Sequence, residues 1–239
     1  MTASVKRQGG FGAWAWRVCY AFGVSTTSTA APRARQERSR RTARQVIDAG
    51  TRLLEEGGPD ALTIASVAEA AHVAVGSVYQ RFGTKENLLA VIQLEFTEHF
   101  RAEFQDRMSE ALVAKSVRPQ EIVRVAVSGL AETFRTHRNL LRVFMLLGTR
   151  NESVLKLGTE ASQRCRDEFR NLLLRAKSGI HRPDASRAVD CAFRLVYSMC
   201  AHRVVNGDLE SCTPLSWPQM IEEMGNIVSL YLFGRLDAK

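Results

Sequence analysis

From Arg35 onward, apolar residues recur at helical spacing. Val46, Ile47, Gly50, Leu53 and Leu54 form one stripe. Gly57-Gly58-Pro59 should stop that helix, because Gly accepts the left-handed end and Pro cannot continue it. Thr63 is placed to cap a second helix with Ile64, Val67, Ala68 and Ala71 on its inner face. A turn at His72-Val73-Ala74 leads to a third, short helix ending near Phe82. Gly83 breaks it, and Thr84 caps a long fourth helix with Glu86 near its positive end. That helix runs through Leu88, Leu89, Ile92, Phe96, Phe100 and Phe104. Further helices are predicted over roughly 119–137, 139–149, 151–177, 183–206 and 215–234, punctuated by Pro119, Gly148, Gly179, Pro183, Gly207, Pro214 and Pro218. No run reads as a strand and none repeats. The pattern predicts an all-α chain with an N-terminal three-helix helix-turn-helix domain at 34–83 and a larger helical body at 84–239. Residues 1–33 read as an extension with little fixed structure before about Pro32, either disordered or preceding the true start.

Composition narrows the partners. The net charge is +8 over 239 residues, which favours polyanions, nucleic acid foremost. The five cysteines form no C-x-x-C pair, and their odd count suits free thiols in a reducing cytosol. The five histidines are too scattered in sequence to promise a zinc site, so no metal or cofactor is expected. No apolar run reaches the length of a membrane span. Val18–Val24 after Lys6 and Arg7 faintly resembles a signal peptide, but Arg17 breaks the apolar stretch. A cytoplasmic protein with no membrane partner is expected.

The run from Thr63 to Phe82 carries the most chemistry. In a helix-turn-helix the first helix braces the backbone and the second enters the major groove. Ala65, Ala68, Ala70, Ala71 and Ala74 are small enough for a close crossing. Val75, Gly76 and Ser77 open the second helix, and the small Gly76 and Ser77 let backbone approach DNA. Gln80 has the paired donor and acceptor for an adenine edge, and Ser77 reaches bases or phosphate. Tyr79, Arg81 and Lys85 are typed for phosphate oxygens. Thr63 adds a hydroxyl and free N–H groups at a helix start. Upstream, the arginines of Arg33–Arg44 can neutralise phosphates, and a flexible arm there could enter a minor groove. The plainer alternative is a solvated basic helix start.

These residues resemble the TetR family of bacterial regulators. The match rests on Ile47-Asp48-Ala49-Gly50, Leu53-Leu54, Leu62-Thr63, Val67-Ala68, Val75-Gly76-Ser77-Val78-Tyr79, Phe82 and Lys85-Glu86-Asn87-Leu88-Leu89. Two positions depart from the family pattern: His72 stands where Gly is usual, and Ala74 where Ser or Thr often caps the helix. The resemblance implies a homodimer that binds a palindromic double-stranded DNA operator, most often as a repressor, and releases it on binding a small molecule. It also implies that the last two helices pair with their mates.

Met220, Ile221, Met224, Ile227, Val228, Tyr231 and Leu232 recur on one helical face, which periodicity alone assigns to monomer core and the resemblance to a dimer seam. Ligand-pocket candidates among the middle helices are Phe96, Phe100, Phe134, Arg142, Phe144, Met145, Phe193 and Tyr197, a set suited to an unidentified apolar or amphipathic ligand. Alternatives remain an activator, a partner-binding protein without ligand control, or an enzyme using Cys165 with His137 or His181. The last lacks any supporting motif, so no catalytic residue is expected.

Overall fold

The computed structural model describes residues 32–110, 118–208 and 212–234. The expectation of little fixed structure before Pro32 lies outside these residues. Two compact units divide the chain, Met1–Gln45 and Val46–Lys239. In the first, the basic stretch is helical from Pro32 rather than an extended arm, and Arg38, Arg40, Arg41 and Arg44 are exposed on it. That helix, α1, is Pro32–Ala61. In the second unit, the rest of the helix-turn-helix packs together with the body. The unit boundary at Gln45 therefore falls inside the 34–83 head drawn from sequence.

Eight further helices follow among the described residues: α2 Ile64–Ala70, α3 Val75–Phe82, α4 Lys85–Glu110, α5 Pro119–Thr136, α6 Arg138–Gly148, α7 Glu152–Leu173, α8 Ala185–Asn206 and α9 Trp217–Phe233. A 3₁₀ segment, Leu174–Gly179, extends α7. Local side-chain chemistry explains several starts. Asn151, Asp184 and Ser216 accept the N–H of Val154, Arg187 and Gln219, each filling an orphan donor of a first turn. Gly58, at φ 68°, breaks α1 before Pro59, as the Gly-Gly-Pro run requires. The last helix ends against the loop before α8: the His181 N–H donates to the Leu232 carbonyl at 2.8 Å, and Arg182 caps the Tyr231 and Gly234 carbonyls.

Helix α5 is the axis of the body. It is buried along Ile122, Val123, Ala126, Val127, Leu130, Ala131 and Phe134, with α4, α8 and α9 packed around it. Such all-round burial is why its apolar residues outnumber a single stripe. Helix α9 turns Met220, Met224, Val228 and Leu232 inward, so this part of its stripe is core, as periodicity alone implied. Ile227 and Leu230 face outward instead. Among the described residues, Thr133 and Gln93 are the polar side chains buried in this core. Thr133 donates to the Gly129 carbonyl at 2.7 Å, and Gln93 donates to the Val154 carbonyl at 2.9 Å, joining α4 to α7. At Gly50 the helices approach so closely that a Cβ would lie 2.6 Å from Ile92 Cδ1.

Candidate functional site

Helices α2 and α3 form the helix-turn-helix. Thr63 and Ser66 cap α2 reciprocally: Thr63 Oγ1 accepts from the Ser66 N–H at 3.0 Å, and Ser66 Oγ accepts from the Thr63 N–H at 3.0 Å. The sequence pattern singled out Thr63 but not Ser66, because the usual capping-box partner is Glu or Gln. The turn closes by a Schellman arrangement. His72 N–H donates to Glu69 O at 3.0 Å and Val73 N–H to Ala68 O at 2.9 Å. His72 takes the left-handed position with φ 55°, the only non-glycine to do so among the described residues. Ala74 caps α3 without a side-chain hydrogen bond. Both departures from the family pattern thus sit at positions where the missing residue type has a definite structural job.

Helix α3 buries Val78 and Phe82 and turns its other side to solvent. Val75 is 44% and Tyr79 55% exposed, unusual for large apolar side chains, and Gly76, Ser77 and Gln80 are exposed beside them. A Cβ on Gly76 would meet nothing within 4 Å, and its backbone does not need positive φ. The fold therefore gives no reason for glycine there. Arg81 is half-buried, and Thr63 lies exposed at the start of α2. Lys85, typed from sequence for phosphate oxygens, has a partner within the protein: its ammonium donates to the Pro59 carbonyl at 2.9 Å, tying the start of α4 to the end of α1 and leaving two of its protons.

In the body, six of the eight pocket candidates join a continuous aromatic row. Ring centroids are 5.4 Å apart for Phe144 and Phe96, 6.2 Å for Phe96 and Phe100, 5.5 Å for Phe100 and Phe134, 5.3 Å for Phe134 and Tyr197, and 5.5 Å for Tyr197 and Phe193. Phe169, not picked out from sequence, extends it at 5.6 Å from Phe193. Met145 is half-buried against the core. Arg142 is exposed and donates to the Val205 carbonyl at 3.2 Å, which places it on the α6–α8 surface.

Cys165 offers no nucleophile. Burial pushes its thiol up to about 12, opposite to what thiolate chemistry needs. His137 is engaged elsewhere, its Nε2 lying 2.6 Å from Glu103 Oε2. His181 sits 2.6 Å from the Phe233 carbonyl through Nδ1.

Fold and site together define an all-helical protein with a helix-turn-helix ahead of a larger helical body. Residues 46–92 match the family model described as bacterial regulatory proteins, tetR family. Solved structures share the fold well beyond it. A TetR transcription regulator from Haloarcula marismortui superposes with TM-score 0.61 at 15% identity, covering 80% of this chain and 96% of that one. A bacterial regulatory protein of the tetR family from Rhodococcus gives 0.59 at 16%, covering 82% and 98%. FadR from Bacillus subtilis, in complex with stearoyl-CoA, gives 0.58 at 18%, covering 81% and 99%. Comparison with the curated proteins finds no match.

Proposed function

We propose that the protein is a cytoplasmic homodimeric repressor. It binds a palindromic operator through α3 and releases it when a small apolar or amphipathic molecule enters the body. The outward face of α3 carries the reading. A bare Gly76 with open space around it, between exposed Val75 and Tyr79, adds nothing to stability but admits a phosphate backbone closely. Ser77 and Gln80 read base edges, while Thr63, Tyr79, Arg81 and the remaining protons of Lys85 contact phosphate. The arginines of α1 add salt-sensitive affinity.

Residues 34–83 thus serve DNA, and 84–239 serve ligand and dimer. Leu230, 70% exposed, and Ile227 lie on the outward side of α9 and supply apolar area for a second copy. The aromatic row supplies the apolar wall for the ligand, with Met145 beside it and Arg142 as a rim cation. FadR of Bacillus subtilis, described with stearoyl-CoA, shares this fold and supports an amphipathic ligand class. Because α4 carries Phe96 and Phe100 and begins just after α3, its tilt transmits occupancy to the head.

The test is footprinting of the promoters of its own and neighbouring genes by the purified protein, wild type and Tyr79→Ala. A protected palindrome, lost in the variant while the far-ultraviolet spectrum is kept, is expected. Equal protection by both proteins would refute the placement of the reading helix.

A further inference from the structure

Three donors scattered along the sequence converge on the body. His99 and Glu103 stand one helical turn apart on α4, and His137 occupies the junction of α5 and α6. One ligating atom from each lies within 4.8 Å of the other two. His137 is held firmly: its Nε2 meets Glu103 Oε2 at 2.6 Å, and its ring packs against Phe96 and Phe100 with centroids 5.7 and 5.8 Å away. Arg107 takes the other carboxylate oxygen, Oε1, at 2.5 Å, so Glu103 presents a single oriented donor. The exposed ring of His99 stands edge-on to His137 at 5.6 Å.

We propose that His99, Glu103 and His137 bind a divalent transition-metal ion of the zinc type. Two imidazoles and one carboxylate suit a borderline ion and are too few in oxygens for calcium or magnesium. Ligating atoms around a tetrahedral zinc stand about 3.3 Å apart when each bond is about 2.0–2.1 Å. The Glu103–His137 pair opens slightly to reach that spacing, and exposed His99 swings in to complete three protein ligands. The fourth position faces solvent. Arg107 holds the carboxylate from behind, as outer partners of metal ligands do. An ordinary hydrogen-bonded pair needs only Glu103 and His137. The third donor, on the solvent side of the same pair, is what makes this a site. An ion there clamps α4 to the α5–α6 junction, on the helix that leads out of α3.

The experiment uses the full chain, stripped with chelator and titrated with Co2+ as a spectroscopic probe, then with Zn2+ against a chromophoric chelator. A single Co2+ per chain with ligand-field bands, displaced by Zn2+, is expected. His99→Ala, at an exposed position where folding is not at stake, should weaken binding by about tenfold or more, and Glu103→Gln likewise. Unchanged affinity in His99→Ala, or absence of the bands, overturns the proposal. So does a cobalt–thiolate charge-transfer band, which would assign the ion to exposed Cys191 or Cys212. None of these readouts involves DNA, so failure here leaves the operator reading standing.

Discussion

Replacing His72 by glycine should stabilise the protein. His72 holds the left-handed position of the α2 Schellman turn at φ 55°. That conformation costs a residue with a Cβ roughly 1–2 kcal/mol, because the Cβ crowds the following carbonyl. Histidine is exposed there, so little packing is lost with its ring. Glycine also gains freedom in the unfolded chain, which takes back about 0.4–1 kcal/mol. The two bonds that close the turn, to Glu69 O and Ala68 O, use backbone only and survive the change. The net gain is about 0.5–1 kcal/mol, equivalent to a rise of roughly 1–4 °C in Tm for a chain of this size. Thermal unfolding at fixed protein concentration, followed by circular dichroism, reads this directly. His72→Ala keeps the Cβ and should show no gain. His72→Val, branched at the crowded carbon, should lose stability. A His72→Gly protein no more stable than wild type, or matched by His72→Ala, would refute the strain argument.

Ala74→Ser supplies the hydroxyl that α3 lacks and should add about 1 kcal/mol, read as an upward shift in the denaturant midpoint with unchanged slope. Gly76→Ala should separate stability from function: the helix gains about 0.5–1 kcal/mol, yet operator affinity falls in a gel shift because the new methyl meets DNA rather than protein. Glu103 gives a pH signature measurable with chelator present. Burial pushes its carboxyl up, but hydrogen bonds from Arg107 and His137 outweigh this and hold it below the ordinary range. An acid depressed by folding stabilises above its unfolded value, about 4.3, and loses that contribution as pH falls through the folded value. The Tm gap between wild type and Glu103→Gln should therefore be widest near neutrality and close in acid; a gap constant with pH would contradict the assignment. Alkylation of the native protein should label exposed Cys191 and Cys212 and spare Cys165 and Cys200, whose thiols burial pushes up to about 12.

Helix positions were largely legible because their signals act within one turn. Pro119 starts α5, the predicted helix over roughly 139–149 is α6 within a residue at each end, and Gly207 closes α8. The Gly57-Gly58-Pro59 break and the inner face of α2 followed from the same local rules. The outward face of α3 was legible too, since Val78 and Phe82 leave only one side exposed. Ser66 escaped notice because serine makes the reciprocal cap in place of the usual Glu or Gln.

Contacts between distant segments were not legible. Lys85 meets Pro59 across 26 residues, Glu103 meets His137 across 34, and Gln93 meets Val154 across 61. Histidines that look scattered along the chain become neighbours because α4 and the α5–α6 junction pack side by side. By itself, the sequence determined an all-helical chain with a helix-turn-helix near its start, since periodicity, caps and breakers are written in adjacent residues. Tertiary structure alone decided that Ile227 parts from Met220, Met224, Val228 and Leu232 to face outward, that Phe144, Phe96, Phe100, Phe134, Tyr197 and Phe193 align in one row, and that donor atoms of two histidines and a glutamate come within 4.8 Å of one another. The reason is that helix rotation and pairing are set by packing of whole faces, and no short stretch of sequence encodes it.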